Sequence, residues 1–256
     1  DIGKGDITSA LLDKKRITVT IISRENAIVA GVQYAKEVFK IKGCSVKVLK
    51  KDGTKIKPNQ TIMSITGDAG KILTCERTAL NLLTRMSGIA TQTNQIVKKI
   101  PSKTKIYATR KTAPGLRYFD KEAVEIGGGK KHRLRLDEMV MIKDNHIAIE
   151  DSLLSLIKKA KKKYRKFEVE VENTQDAILA AKEGATIIML DNFTPAQIKK
   201  TIQTLKDQKL RNNVLLEASG GINSKNIGKY GQTGVDIISV GSITNSVIGI
   251  DMSLEI

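Results

Sequence analysis

Only two cysteines, Cys44 and Cys75, occur in 256 residues, too few for a disulfide framework. Two histidines, His132 and His146, cannot anchor a His-rich metal site. Tryptophan is absent and aromatics make up 4% of the chain, so stacking platforms for nucleic acid are missing. Long apolar runs are missing too. Stretches such as 185–190 and 235–240 fall far short of the ~20 residues that cross a bilayer, which excludes a membrane-spanning chain. What is present is 40% hydrophobic residues in segments that recur from end to end, which excludes disorder as the main state. The length fits one large domain or two modest ones. Sparse cysteine suits a reducing cytoplasm. The sequence opens at Asp1 without methionine, which leaves room for a preceding segment, a targeting peptide included.

Basic residues outnumber acidic ones by 44 to 27, a net charge of +17. That balance attracts nucleic acid, anionic membranes or acidic small molecules without choosing among them. The arginines are more selective. Six of the ten, Arg77, Arg85, Arg110, Arg117, Arg133 and Arg135, fall within 77–135. Arginine presents a planar fork that grips carboxylate or phosphate with two hydrogen bonds, whereas lysine is a flexible solubilising cation. The lysines therefore read as surface and the arginines as a site. The lysine-rich run 158–166 reads as a solvated helix end, its charges well placed near the C-terminal dipole. The competing reading of that run is a nucleic-acid patch.

Two rhythms divide the chain. Residues 17–72 read as short strands (17–22, 26–30, 45–49 and 60–65) with one helix over 33–42, ended by Gly43. The piece from Gly53 to Ile62 resembles the hammerhead of biotinyl and lipoyl carriers but lacks their modified lysine. Residues 74–100 carry a helical apolar stripe through Ala79, Leu83, Met86 and Ala90, broken by Pro101. Beyond it the pattern alternates: strands at 104–108, 139–142, 167–171, 185–190, 214–216 and 235–240, with helices at 153–163, 174–182, 194–205 and 224–230. Such alternation implies a parallel sheet with covering helices. Six units in about 150 residues point to an α/β barrel, complete or incomplete, with a doubly wound sheet as the alternative.

In either architecture chemistry collects at the C-terminal strand ends. There the sequence places Thr109, Arg110 and Lys111; Lys143 to His146; Asp191 and Asn192; Glu217 with Ser219, Gly220 and Gly221; and Gly241 with Ser242. Glu168, Glu170 and Glu172 alternate along one strand and so share a face, either pairing with a lysine or holding hydroxyls, a Mg²⁺ or a developing positive charge. The two late glycine loops suit a phosphate, because glycine lets backbone N–H groups approach an anion closely. Gly127, Gly128 and Gly129 precede His132 and Arg133, a loop that fits neither dinucleotide nor P-loop spacing and reads as delivering cations to a ligand. His146 is open between a structural, an orienting and a chemical role.

Several ordered motifs together resemble one family. They run from Gly5-Asp6-Ile7-Thr8 through Glu76-Arg77-Thr78-Ala79-Leu80-Asn81 and Ser87-Gly88-Ile89-Ala90-Thr91 to Thr109-Arg110-Lys111-Thr112-Ala113-Pro114-Gly115-Leu116-Arg117. They continue with the triple glycine and His132-Arg133, Ile142 to His146, Glu168 to Asn173, Leu190-Asp191-Asn192 and Glu217 to Gly221. The sequence resembles the quinolinate phosphoribosyltransferases. Two positions depart from that family's pattern: Ala108 where an Asp is usual, and Asn245 where a His is common.

The resemblance implies an incomplete α/β barrel of about seven strands, the type II phosphoribosyltransferase fold, with an N-terminal α/β sandwich. The sandwich would span 1–100, rejoined by 247–256, and the barrel 101–246 would carry the active site. It implies phosphoribosyl transfer from phosphoribosyl pyrophosphate to quinolinate with decarboxylation. By resemblance Arg77, reaching over from a partner in a homodimer or larger oligomer, would hold the quinolinate carboxylates with Arg110, His132 and Arg133, and Thr109 would also bind substrate. Lys111 and Lys143 would meet the donor's phosphates, Glu170 and Asp191 its ribose hydroxyls, and Ser219, Gly220, Gly221, Gly241 and Ser242 its 5′-phosphate. Lys111, Lys143, Glu170 and Asp191 are the residues expected to serve catalysis. Mg²⁺ would travel on the donor's pyrophosphate without a direct protein ligand, and no organic cofactor, nucleic acid or membrane is expected. Two alternatives stand beside this: a same-fold relative associated with molybdenum transport, and a basic nucleic-acid-binding protein.

Overall fold

Strand β1 (Arg16–Ser23) shows why the chain's first third is a sheet. Its β-branched residues alternate, and Val19, Ile21 and Ser23 point into the core. A computed structural model describes residues 1–256 and divides them into two units. The first unit comprises Asp1–Asn94, Pro114–Gly128 and Ser246–Ile256. After β1 come β2 (Ala27–Ile28), α1 (Val32–Ile41), β3 (Ser45–Val48), β4 (Lys55–Ile56) and β5 (Thr61–Asp68). β5 lies antiparallel between β1 and β3, while β2 and β4 form a separate short pair. Helix α1 buries Val32, Ala35 and Phe39, spaced to form one face. That face joins Ile62, Met63 and Ile65 of β5 and Ile72, Cys75, Ala79 and Leu83 of the long helix α2 (Ala69–Val97) in one apolar cluster. The unit is a layer of helix over a layer of antiparallel sheet.

The second unit, Gln95–Ala113 with Gly129–Asn245, opens with β6 (Lys105–Tyr107). The helix that follows in sequence, α3 (Arg117–Ile126), groups with the first unit. There Asp120, fully buried, accepts hydrogen bonds from Arg85 Nε and Nη2 at 2.7 and 2.9 Å. β7 (Val140–Ile142) is followed by α4 (Asp144–Glu150) and α5 (Leu153–Lys163), then β8 (Phe167–Val171), α6 (Thr174–Glu183) and β9 (Ile187–Asp191). Then come α7 (Pro195–Asp207), β10 (Leu215–Ser219), α8 (Ile227–Gly231), β11 (Ile237–Ser239) and a single turn, α9 (Ser242–Asn245). Helix starts follow local chemistry: Ser152, Asn173 and Thr194 cap α5, α6 and α7, and Pro195 occupies the first turn of α7. The chain closes in β12 (Met252–Glu255), which pairs antiparallel with β1 inside the first unit.

All strand pairs of the second unit's sheet are parallel, in the order β6-β11-β10-β9-β8-β7. Successive strands from β7 to β11 are neighbours, and β6 joins the far end. That is the order of a barrel opened between β6 and β7, with no reversal of direction, so the doubly wound alternative is excluded. A lone parallel bridge from Tyr107 to Lys130 adds a further segment beside β6. Sequence periodicity missed α3, α4, α9 and β12, and it set no boundary that placed Pro114–Gly128 with the first unit rather than within 101–246. Short amphipathic turns carry too few residues to declare a period, and a long-range ion pair such as Arg85–Asp120 leaves no local mark.

Candidate active site

Period two in the strands and parallel register between them build the site. Glu170, Met189 and Glu217 stand opposite one another across β8, β9 and β10, and two residues on, Asp191 stands opposite Ser219. All five line a cavity of about 340 Å³ at the C-terminal strand ends. Thr109, Arg110 and Lys111 enter it after β6, His132 and Arg133 before β7, and Lys143 just after β7. Four cations thus converge there, and Lys143 Nζ donates to Glu170. The Arg110 Nε is buried without a hydrogen-bond partner. Arg133 donates to the Met139 carbonyl at 3.1 Å, while burial and then the nearby Arg110 work against its charge. Two guanidiniums crowded in a half-dry hollow are poised for an anion.

A second cavity of about 280 Å³ adjoins the first and shares Thr109, Lys111, Ser219 and Ser239 with it. Its remaining walls come from Gly220, Gly221, Gly241, Ser242 and Asn245, among others. Gly220 and Gly221 both take positive φ, 89° and 62°, a conformation that glycine adopts without strain. The Ser242 hydroxyl is buried and has no hydrogen-bond partner.

Beneath the first cavity lies a buried acid cluster. Glu168 and Glu217 are fully buried, and His132 Nε2 lies 3.1 Å from Glu168 Oε2 and 4.0 Å from Glu217 Oε2. Burial pushes both carboxyls up to about 8. For Glu168 the cations Arg133 and Lys143 oppose the rise; for Glu217 the neighbouring Glu168 adds to it, and His132 and Ser239 oppose it.

A family model for quinolinate phosphoribosyl transferase, N-terminal domain, matches residues 6–87, and its C-terminal domain counterpart matches residues 89–255. The chain belongs to the quinolinate phosphoribosyltransferase family. A relative from Methanothermobacter thermautotrophicus, a probable carboxylating nicotinate-nucleotide pyrophosphorylase, is 45% identical over 264 residues, covering 100% of this chain and 95% of that one. A protein of the same description from Methanocaldococcus jannaschii is 44% identical, covering 100% and 93%. The solved nicotinate-nucleotide pyrophosphorylase from Francisella tularensis superposes with a TM-score of 0.93 at 39% identity, covering 100% and 91% of the two chains.

Thirteen of the site residues expected from sequence line the two cavities: Thr109, Arg110, Lys111, His132, Arg133, Lys143, Glu170, Asp191, Ser219, Gly220, Gly221, Gly241 and Ser242. Arg77 lies on α2 of the first unit and is exposed. Membership of a quinolinate phosphoribosyltransferase does not make every clustered arginine part of a site. Arg85 is tied to Asp120, and Arg135 pairs with Asp137 and Glu138 at the surface. Conversely Lys111 and Lys143 line the first cavity, so residue type alone does not separate surface from cavity.

The three alternating glutamates also part company: Glu168 is buried, Glu170 lines the cavity, and Glu172, just past the strand end, is exposed. His146 serves the backbone, its Nδ1 accepting from the Lys143 N–H at 3.0 Å at the start of α4. Ala108 is buried on the first cavity's wall. Glu217, which the sequence placed at a strand end without a role, lines the first cavity. Its spacing of two before Ser219 on one strand was the signal that could have found it.

Proposed function

We propose that this chain joins quinolinate to phosphoribosyl pyrophosphate, releasing pyrophosphate and CO₂ and leaving nicotinate mononucleotide. The observation that carries this is the convergence of Arg110, Lys111, Arg133 and Lys143 on one cavity, adjoined by a glycine-walled one. Two polyanions must meet, and only a strongly cationic hollow offsets their repulsion. Arg110, His132 and Arg133 hold the diacid, each charge-assisted hydrogen bond contributing roughly 1.5–3 kcal/mol. Lys111 and Lys143 face the donor's pyrophosphate, with Mg²⁺ arriving as part of that substrate. Gly220, Gly221, Gly241, Ser219 and Ser242 cradle the 5′-phosphate, the unpartnered Ser242 hydroxyl being free to donate.

Glu170 and Asp191 take the ribose hydroxyls and favour positive charge at the anomeric carbon as its bond to pyrophosphate breaks. The pyridine nitrogen supplies the pair for the new carbon–nitrogen bond and becomes cationic. Its positive charge stabilises the electron pair left on the adjacent ring carbon as CO₂ departs, and that pair takes up a solvent proton. No side chain need remove a proton to start the reaction.

The working unit is a homodimer or larger assembly, cytoplasmic, in which the exposed Arg77 completes a partner's site. No helix is long and apolar enough to cross a membrane. Mixing Arg77→Ala with Lys143→Ala subunits, each inactive alone, should restore activity toward about a quarter of wild type in a dimer. For the reaction itself, quinolinate, the sugar donor and Mg²⁺ should yield nicotinate mononucleotide by mass, with CO₂ release dependent on quinolinate. Absence of both products ends this reading.

A further inference from the structure

Glu168 and Glu217 have no task in the reaction above, yet they are the most completely buried acids beside it. Glu217 accepts from the Ser239 hydroxyl through Oε1, while its Oε2 and the Glu168 Oε1 are buried without a hydrogen-bond partner. Two ionised carboxylates so placed would both be desolvated and would repel, so each retains its proton at neutral pH. Around them stand His132, Arg133, Lys143 and Glu170, with the Tyr107 phenol also in electrostatic reach. His132 is constrained from two sides. Its backbone takes the left-handed φ of 52°, and its ring meets that of Tyr107 edge-on at 5.5 Å. A non-glycine residue keeps such a backbone only where its surroundings over-determine it.

We propose that Glu168 and Glu217 are positioning residues that clasp His132 by its Nε2 from below and set its charge for binding a carboxylate. This rests on the reading that the cavity seats a pyridine diacid. Before binding, the proton sits on Glu168 Oε2 and His132 is neutral, with its other ring nitrogen protonated. When the diacid docks, that proton moves along the 3.1 Å contact to Nε2, leaving a carboxylate below and an imidazolium facing the ligand. No proton is drawn from solvent, and the second acid, Glu217, keeps its hydroxyl bond to Ser239. The imidazolium thus forms only when an anion arrives to face it, with no change in the protein's net charge.

The chain has two histidines, so ¹⁵N-labelled ring spectra hold only His132 and His146, and His146→Asn assigns them. In substrate-free protein the His132 Nε2 should be hydrogen-bonded. As pH rises through about 8, Glu168 ionises and Nε2 should turn from acceptor to donor, an inflection in the ring ¹⁵N shifts that Glu168→Gln lacks and that moves to lower pH in Glu217→Gln. KM for quinolinate should rise about tenfold in Glu168→Gln and Glu217→Gln, with KM for the sugar donor changed less than about twofold. An unchanged ring titration in the folded variants overturns the clasp, and so does a shifted ring with unchanged KM for quinolinate. Should the glutamine variants not fold, a wild-type Nε2 free of any hydrogen bond overturns it. The ring measurements use no substrate. A missing product with a shifted ring therefore sinks the catalytic reading and leaves the clasp standing.

Discussion

A Cβ on Gly220 would sit 2.2 Å from Asn192 Oδ1 and 2.6 Å from the Asn192 backbone nitrogen. Asn192 is itself anchored, its N–H donating to the Ser219 carbonyl at 3.0 Å and its side chain to Asp191 at 2.7 Å. Room for a methyl group could come only from moving the loop that carries Ser219 or the strand end that carries Asp191. Gly220→Ala should therefore raise KM for the phosphoribosyl donor at least about tenfold, and the positive φ adds strain of about 1–3 kcal/mol. Donor titration and a melting curve check both. Wild-type donor affinity would detach this turn from the phosphate site.

Arg110 offers a buried Nε with no hydrogen-bond partner, a donor that a bound anion would satisfy. Arg110→Ala should lower kcat/KM for quinolinate by roughly 10²–10³, through lost electrostatic complementarity. Near-wild-type kinetics would remove Arg110 from the site.

Arg85 provides the contrasting case. Its two bonds to the fully buried Asp120 tie α2 to α3, so its removal should act on stability instead of chemistry. Asp120→Ala should cost about 3 kcal/mol by removing the buried acceptor of both Arg85 hydrogen bonds. That corresponds to a Tm lower by roughly 5–10 °C. In the folded fraction at low temperature, KM values should stay within about twofold of wild type.

Stability should decline with pH in a defined window. Glu168 and Glu217 hold their protons up to about 8 when folded, against an ordinary carboxyl value of 4.5. Between those values the folded chain binds more protons than the unfolded one, so unfolding becomes easier as pH rises. A carboxamide cannot ionise. From pH 5 to pH 8 the wild-type Tm should therefore fall at least about 3 °C further than that of Glu217→Gln. Parallel Tm curves for the two proteins would contradict the buried-acid argument.

Chelation should separate a metal carried by substrate from one held by the protein. Excess EDTA is expected to stop turnover, with activity returning on adding Mg²⁺, while the Tm of substrate-free protein stays fixed. A Tm that drops with chelator would mean that the folded chain itself binds the ion.

The parts of this protein that are local in the chain were legible from its residues alone. β8 runs over 167–171 and α5 over 153–163 as the periodicity requires, because strand and helix periods are carried by neighbouring side chains. Once the alternation declared a parallel sheet, the polar and glycine residues ending each strand marked the site, since parallel strands deliver those ends to one side.

What the chain alone determined is therefore the alternation, the strand-end chemistry and with them an anion-handling barrel. What only tertiary structure decided is which charges do that handling. Arg85 turns to Asp120 and Arg110 to the cavity, although the two have the same chemistry. Glu168, Glu217 and His132 meet from three separate segments, and the protons they keep depend on how much water is excluded around them. Desolvation is a property of everything packed nearby, so no local stretch of residues can encode it.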